Sequence, residues 1–290
     1  MATVTGHGVI PLRHVCPRCH AAIAIGSDSK RVTCLSCGAV YPVLDSIVSF
    51  VDSKLADGWR TFFEERSIAA DRDTTAANDC RTPVHHGYLV EGFRRLCDGI
   101  PAEARVLDAG CGNGIFHAAL FQDRPVVGID YALGMCRLAH RRGLQVYHAD
   151  AKSLPFADQQ FDLIYSSEIL QCSDSLAPIL TELSRVCRPG GRIVVSTLNK
   201  SSLLRRIMRE VRKAFPHPVV PSHGSVVLRT ADEVIDAARD LPLEVRSVLW
   251  IHFPFPWMTI RRTARYSLAP LATNMIVEFA KSAGSKASRD

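Results

Sequence analysis

Two groups of residues in this chain have types and spacings that could do chemistry. The first opens it: Cys16-Pro-Arg-Cys19 and, after fourteen residues, Cys34-Leu-Ser-Cys37. Thiolates are soft ligands suited to a tetrahedral d10 ion, and two Cys-x-x-Cys turns supply a closed set of four. A closed set leaves no position for an activated water. The pattern therefore predicts a structural zinc on Cys16, Cys19, Cys34 and Cys37, with His14 and His20 as bystanders. The other cysteines (Cys80, Cys97, Cys111, Cys136, Cys172 and Cys187) stand singly in apolar stretches and read as reduced packing residues.

The second group begins with Val106-Leu-Asp-Ala-Gly-Cys-Gly-Asn-Gly114. Gly110, Gly112 and Gly114 follow an apolar strand and open a helix, so backbone can approach a ligand closely at a helix N-terminus. Two further acids close the next two strands, Asp130 in Val-Val-Gly-Ile-Asp and Asp150 in Val-Tyr-His-Ala-Asp. An acid at the second strand end can accept both hydroxyls of a ribose, and one at the third can accept an adenine amino group. Nothing caters for a pyrophosphate, and the spacing is not the Gly-x-Gly-x-x-Gly of a dinucleotide site. The set suits S-adenosylmethionine, a nucleoside carrying a zwitterionic amino acid and a sulfonium.

These residues need a frame. From Arg105 onward short apolar strands alternate with helical segments, which implies a parallel sheet covered on both faces. Residues 53–73 and 83–100 read as helices, and 243–251 and 274–281 as the last two strands of the sheet. Thr230 and Glu233 form a capping box before a further helix. Arg188-Pro-Gly-Gly191 reads as a turn.

With these motifs in order (VLDAGCGNG, GID, HADAKSLPFADQQFDLIYSSEIL, RVCRPGGRIVVS), residues 102–199 closely resemble the class I S-adenosylmethionine-dependent methyltransferases, of the broad group that includes the ubiquinone and menaquinone methyltransferases. The resemblance implies an α/β fold: a seven-stranded, Rossmann-like sheet, mostly parallel with its last strand antiparallel. It divides the chain into a zinc ribbon (1–52), a helical cap (53–100) and a methyltransferase domain (101–290) with substrate-side insertions at 200–229 and 252–273. It implies that Asp108, Gly110, Cys111 and Gly112 line the methionine end of the cofactor and that Asp130 holds the ribose. Tyr131 and Met135 would flank the adenine, Asp150 and Ala151 would face its edge, and Ser166 would lie where the methyl group points. His252 and Glu168 are the candidates for a catalytic base. The ubiquinone O-methyltransferases carry Glu-x-x-Glu-His where this chain has Glu168-Ile-Leu-Gln171-Cys172, so no catalytic metal is expected. Residues 12–52 resemble the zinc-ribbon activator subunit of certain tRNA, rRNA and protein methyltransferases, which implies a module that recruits a protein partner or buttresses the body. Its disruption is expected to leave cofactor binding largely intact.

The chain of 290 residues is 47% apolar and 22% charged, with a net charge of +6. It has no run of eighteen apolar residues and no secretory leader, so a cytoplasmic enzyme is expected. Between Lys200 and Arg229 seven basic residues meet one acid, and residues 200–214 pattern as a basic amphipathic helix. That helix reads as ordinary surface, as a peripheral membrane contact, or as an RNA contact. Phe253, Phe255 and Trp257 suggest a lid over an apolar or aromatic small-molecule substrate methylated at oxygen, nitrogen or carbon. The alternatives are an rRNA or tRNA methyltransferase that contacts nucleic acid through the ribbon, and a non-catalytic scaffold that binds the cofactor.

Overall fold

The computed structural model describes residues 10–25, 30–51, 58–70, 83–121, 124–214, 226–251, 260–262 and 268–283. The chain begins with two cysteine knuckles built alike. In the first, between β1 (His14–Val15) and β2 (Ala22–Ile23), the Cys16 amide donates to Ala21 O and the His20 amide to Cys16 O, each at 2.8 Å. In the second, between β3 (Arg31–Thr33) and β4 (Val40–Leu44), the Cys34 amide donates to Ala39 O and the Gly38 amide to Cys34 O. Residue four after the first cysteine is left-handed in both, His20 at φ 58° and Gly38 at φ 72°. His20 is therefore the turn residue of its knuckle, the place glycine fills in the other. The short strand β5 (Ile47–Val48) completes the ribbon against β4.

Helices α1 (Gly58–Ala70) and α2 (Pro83–Cys97) lead into the sheet. Its elements follow as β6 (Val106–Ala109), α3 (Ile115–Leu120), β7 (Val127–Asp130), α4 (Leu133–Arg141), β8 (Gln145–His148), β9 (Phe161–Ser166), α5 (Ala177–Val186), β10 (Cys187–Leu198), α6 (Leu203–Ala214), α7 (Ala231–Asp236), β11 (Leu243–Ile251), β12 (Ile260–Arg262) and β13 (Asn274–Lys281). In space the order is β12-β11-β13-β10-β9-β6-β7-β8. From β8 to β10 all pairings are parallel, while β13 runs antiparallel between β10 and β11. This is the expected seven-stranded sheet with a reversed last strand; β12 adds an eighth, edge strand by pairing with β11. Every residue of β6 is buried, as a strand covered by helices on both faces must be.

The chain winds outward from β6 through β7 to β8, then returns to start β9 on the other side of β6. The crevice at the carboxyl ends of β6 and β9 is thus the topological switch point, where open α/β sheets bind ligands. The Thr230–Glu233 capping box forms as expected, with both reciprocal hydrogen bonds present. The Arg188–Gly191 stretch differs from the turn read in the sequence: β10 already starts at Cys187, breaks register before Arg192, and carries Gly190 at φ 74°.

The ribbon lies against β8, the edge strand of the sheet. The Phe50 amide donates to His148 O at 2.8 Å, Ile10 N to Gln145 Oε1 at 2.8 Å, Val15 N to Pro155 O at 3.1 Å, and Ala157 N to Arg13 O at 2.8 Å. Of these, the Phe50 bond, with the bridge between Ser49 and His148, pairs the last residue of the β8 edge. Helix α1 grips the other side of the same region. Helix α4 has no side-chain cap of its own at Ala132; the Glu64 carboxylate supplies one, accepting from Leu133 N at 2.7 Å and Gly134 N at 2.9 Å. A β-carbon on Gly134 would sit 1.9 Å from Ser67 Oγ, so only glycine lets α1 come this close. Gly134→Ala should therefore destabilise the protein by about 1–3 kcal/mol through overpacking; an unchanged melting temperature would disprove this account of the α1–α4 contact.

Candidate functional site

The glycine loop after β6 is shaped by three left-handed residues, Gly110 (φ 85°), Gly112 (φ 52°) and Gly114 (φ 81°). A β-carbon on Gly110 would lie 2.1 Å from Ile169 Cγ2, so the loop after β9 folds down onto the glycine loop and both wall the crevice. Gly110 N and Cys111 N both donate to Ile129 O at 2.9 Å, and Gly112 N donates to Asp130 Oδ2 at 2.8 Å. Asp130 Oδ1 accepts from Ala132 N at 2.9 Å. One carboxylate thus ties the loop of the first central strand to the end of the second. Burial pushes the Asp130 carboxyl up to about 6, against the pull of these amides and with help from the nearby Glu64 charge.

The cofactor residues expected from the sequence separate into those that form the crevice surface and those behind it. Asp108 is 1% exposed and accepts the Tyr165 hydroxyl at 2.7 Å, so it sits beneath the loop and braces it. Cys111 contributes its backbone; its buried sulfur packs against Gly128, and burial raises its thiol well above the ordinary range. Met135 is buried among Ala132, Leu138 and Phe63. Tyr131 is half-buried with Arg60 5.8 Å from its ring centre, and its carbonyl accepts from His148 Nε2 at 3.1 Å. Asp150 begins a turn, accepting from Lys152 N at 2.9 Å, with Ala151 half-buried beside it.

Four buried polar atoms near the carboxyl ends of β6, β9 and β10 have no hydrogen-bond partner among the described residues: Asn113 Nδ2, Ser166 Oγ, Gln171 Oε1 and Thr197 Oγ1. Leaving such groups unmet costs about 1–3 kcal/mol each. Their concentration at the switch point fits a ligand with its own donors and acceptors. A carboxylate at the end of β7 beside these unmet groups fits a ligand with hydroxyls, such as a nucleoside, and the Arg142 guanidinium next to the glycine loop is engaged by Asn113 O at 2.6 Å.

On the opposite wall, Glu168 is left-handed (φ 66°) and 6% exposed. Its amide donates to Ser196 Oγ at 3.0 Å, and its Oε1 accepts from Asn274 Nδ2 at 2.7 Å. Asn274, fully buried at the start of β13, also meets His85 Nε2 at 3.1 Å and accepts from Arg205 at 3.0 Å. Four distant segments converge here, and only Glu168 of this group was legible in the sequence. Arg205, which the helical pattern assigns to the polar face of α6, instead anchors that helix to Thr273 O at 2.8 Å. Leu203 and Ile207 of α6 are exposed at 46% and 51%. No helix among the described residues is long and apolar enough to cross a membrane. His252 and the aromatic segment Phe253, Phe255 and Trp257 lie outside the described residues.

In the ribbon the four cysteine sulfurs lie within 4.8 Å of one another, with Cys16–Cys37 and Cys19–Cys34 at 3.6 Å. Tetrahedral zinc thiolates at 2.3 Å separate their sulfurs by about 3.8 Å. The donor set fits a closed structural ion, and the Tyr41 hydroxyl donates to Cys16 Sγ at 3.0 Å as an outer support. His14 lies apart from this cluster, packed against Tyr147 and Phe156.

Residues 107–195 match the family described as methyltransferase domain. The chain is similar to the malonyl-[acyl-carrier protein] O-methyltransferase of Methylococcus capsulatus, with 38% identity over 133 residues, 42% of this chain and 47% of that protein. It spans about half the length of the curated relatives it matches. Among solved structures it is similar to a SAM-dependent methyltransferase of Thermotoga maritima, at TM-score 0.57 and 21% identity over 77% of this chain and 99% of that one. It is also similar to a chain in the complex of the Haloferax volcanii Trm112 methyltransferase activator with a methyltransferase, at TM-score 0.52 and 17% identity over 79% and 99%. Residues 107–195 are thus a methyltransferase domain by family match, set in a sheet whose strand order is that of the class I methyltransferase fold.

Proposed function

We propose that the protein transfers a methyl group from S-adenosylmethionine to a small-molecule acceptor. The observation that supports this reading is the Asp130 carboxylate, which closes the glycine loop through Gly112 at the switch point. S-adenosylmethionine supplies a methyl group already activated by a sulfonium, so the protein's work is alignment and exclusion of water. The glycine loop presents backbone at the methionine end, Asp130 accepts the ribose hydroxyls, and the turn at Asp150 and Ala151 borders the adenine. Ser166 and Glu168 meet the acceptor from the β9 side. The relatives named malonyl-[acyl-carrier protein] O-methyltransferase favour a second reading, in which the accepting atom is a carboxyl oxygen on a carrier-bound acyl chain.

The four cysteines hold one zinc per chain, and the ribbon serves the cofactor site from within the same polypeptide. The chain of contacts is short: Ser49 Oγ meets His148 Nδ1 at 2.7 Å, and His148 Nε2 meets Tyr131 O at 3.1 Å, directly after Asp130. A carbonyl only accepts, so Nε2 carries the proton and Nδ1 accepts from Ser49. Burial lowers His148 to about 4, which keeps this neutral relay intact at physiological pH. The similarity to a methyltransferase solved with a separate activator protein supports this role for the ribbon. It departs from the expectation that ribbon and cofactor site are independent.

Calorimetry tests the cofactor assignment: Asp130→Ala should weaken S-adenosylmethionine binding at least about tenfold through loss of charge-assisted hydrogen bonds. Because only the ionised carboxylate accepts freely, affinity should fall as the pH drops through about 6, and Asp130→Asn should flatten that dependence. Unchanged affinity in Asp130→Ala would overturn the role of Asp130, and failure of the wild type to bind the cofactor would overturn the function.

Elemental analysis should find one zinc per chain, lost in Cys34→Ser. Removing the metal, or His148→Ala with the metal retained, should weaken cofactor binding about fivefold, the equivalent of one hydrogen bond of about 1 kcal/mol. Metal loss that leaves cofactor affinity unchanged would return the ribbon to an independent module.

A further inference from the structure

We infer that Glu168 is the group that receives the proton of the methyl acceptor, that Asn274 positions it, and that the acceptor carries an amine or hydroxyl rather than a carboxylate. This rests on the methyltransferase reading above and adds the chemistry of the second substrate. Glu168 follows directly on the end of β9, beside the switch-point crevice, and the next residue, Ile169, packs onto Gly110. The two walls of the crevice are therefore the glycine loop and the segment that carries Glu168.

The carboxylate is held by more than ordinary packing. Glu168 is in the left-handed region, which disfavours a side chain, and residues so strained persist where their surroundings over-determine them. Here the Ser196 hydroxyl fixes its amide and Asn274 fixes its carboxylate. The orientation of Asn274 follows from its partners. Arg205 can only donate, so the asparagine atom it meets is the oxygen, and the nitrogen must point at Glu168. His85 meets the same oxygen and so donates from Nε2. Donors on one side of the amide polarise it toward the carboxylate on the other. The network keeps Glu168 an acceptor of hydrogen bonds, which matches an incoming N–H or O–H and opposes a carboxylate ligand. Buried Ser166 Oγ and Thr197 Oγ1, lacking partners among the described residues, lie near the same ends of β9 and β10.

In the step this implies, a lone pair on the acceptor's nitrogen or oxygen forms the bond to the methyl carbon. The sulfur keeps the electron pair of the broken S–C bond. Glu168 takes the proton that the acceptor loses, from an amine in its neutral form or from a hydroxyl as the bond forms. Atoms and charge balance without a metal or a redox partner.

The probes are benzylamine, benzyl alcohol and benzoate, three small aromatic molecules alike in size, titrated by calorimetry into full-length protein saturated with S-adenosylhomocysteine. The wild type should bind the amine and the alcohol at least about tenfold more tightly than benzoate. Glu168→Gln should erase this preference while leaving S-adenosylhomocysteine affinity within about twofold, and Asn274→Ala should reduce it in the same direction. Equal binding of the three probes, a preference for benzoate, no measurable binding of any of them, or an undiminished preference in Glu168→Gln would overturn the assignment. A preference for benzoate would in addition favour the carboxyl-acceptor reading. Failure of the wild type to bind S-adenosylhomocysteine would count against the methyltransferase reading itself, so the two failures are distinguishable.

Discussion

The architecture of the site depends on one hydrogen bond, from the Gly112 amide to the Asp130 carboxylate. It joins the loop after β6 to the end of β7, so the glycine loop and Asp130 cannot move independently. The loop can reach that carboxylate only because Gly110, Gly112 and Gly114 adopt conformations that a side chain would penalise. The carboxylate stays there because its other oxygen takes the amide of Ala132, just before α4. Burial of this acid among backbone donors has an electrostatic consequence as well. Desolvation and the nearby charge of Glu64 outweigh the amides and lift the carboxyl to about 6. A ligand offering two hydroxyls would relieve that tension.

Two elements outside the matched methyltransferase domain fasten the segment that follows Asp130. Helix α1 supplies Glu64 as the cap that α4 lacks, and the ribbon supplies Ser49, which orients His148 toward the Tyr131 carbonyl. The residues between 130 and 134 are thereby held from both sides. The four cysteines gather at the tip of the ribbon, and the ribbon meets the edge of β8 at His148. The four-cysteine module is thus tied to the body of the chain at the β8 edge of the sheet.

The opposite wall of the crevice is built on a different principle. The glycine-loop wall uses backbone and one acid from neighbouring strands, whereas the other gathers Glu168, Asn274, His85 and Arg205 from four segments spread over much of the chain. Such a network has value only when complete, because a buried amide or carboxylate left without its partner is costly. Placing β13 antiparallel between β10 and β11 brings Asn274, its first residue, to the carboxyl end of the sheet beside Glu168. A parallel strand there would deliver its first residue to the opposite end.

Sequence alone determined what depends on local spacing. Glycines at alternate positions after an apolar strand, acids at three strand ends, paired cysteines and the Thr230–Glu233 box each act over a few residues, so type and spacing suffice to read them. The strand alternation also fixed the sheet and its crevice, since parallel strands joined by helices leave few topologies. Tertiary structure decided which of those residues face the crevice. Asp108 and Met135 fall on the expected elements, yet are turned inward by packing with Tyr165 and Phe63. Glu64, His148, Asn274 and Arg205 carry no local signature, because each acts on a segment far away in the chain. Arg205 shows the reason most plainly: its helical period assigns it to the polar face, but a guanidinium with two buried acceptors within reach at Thr273 and Asn274 gains more from them than from water.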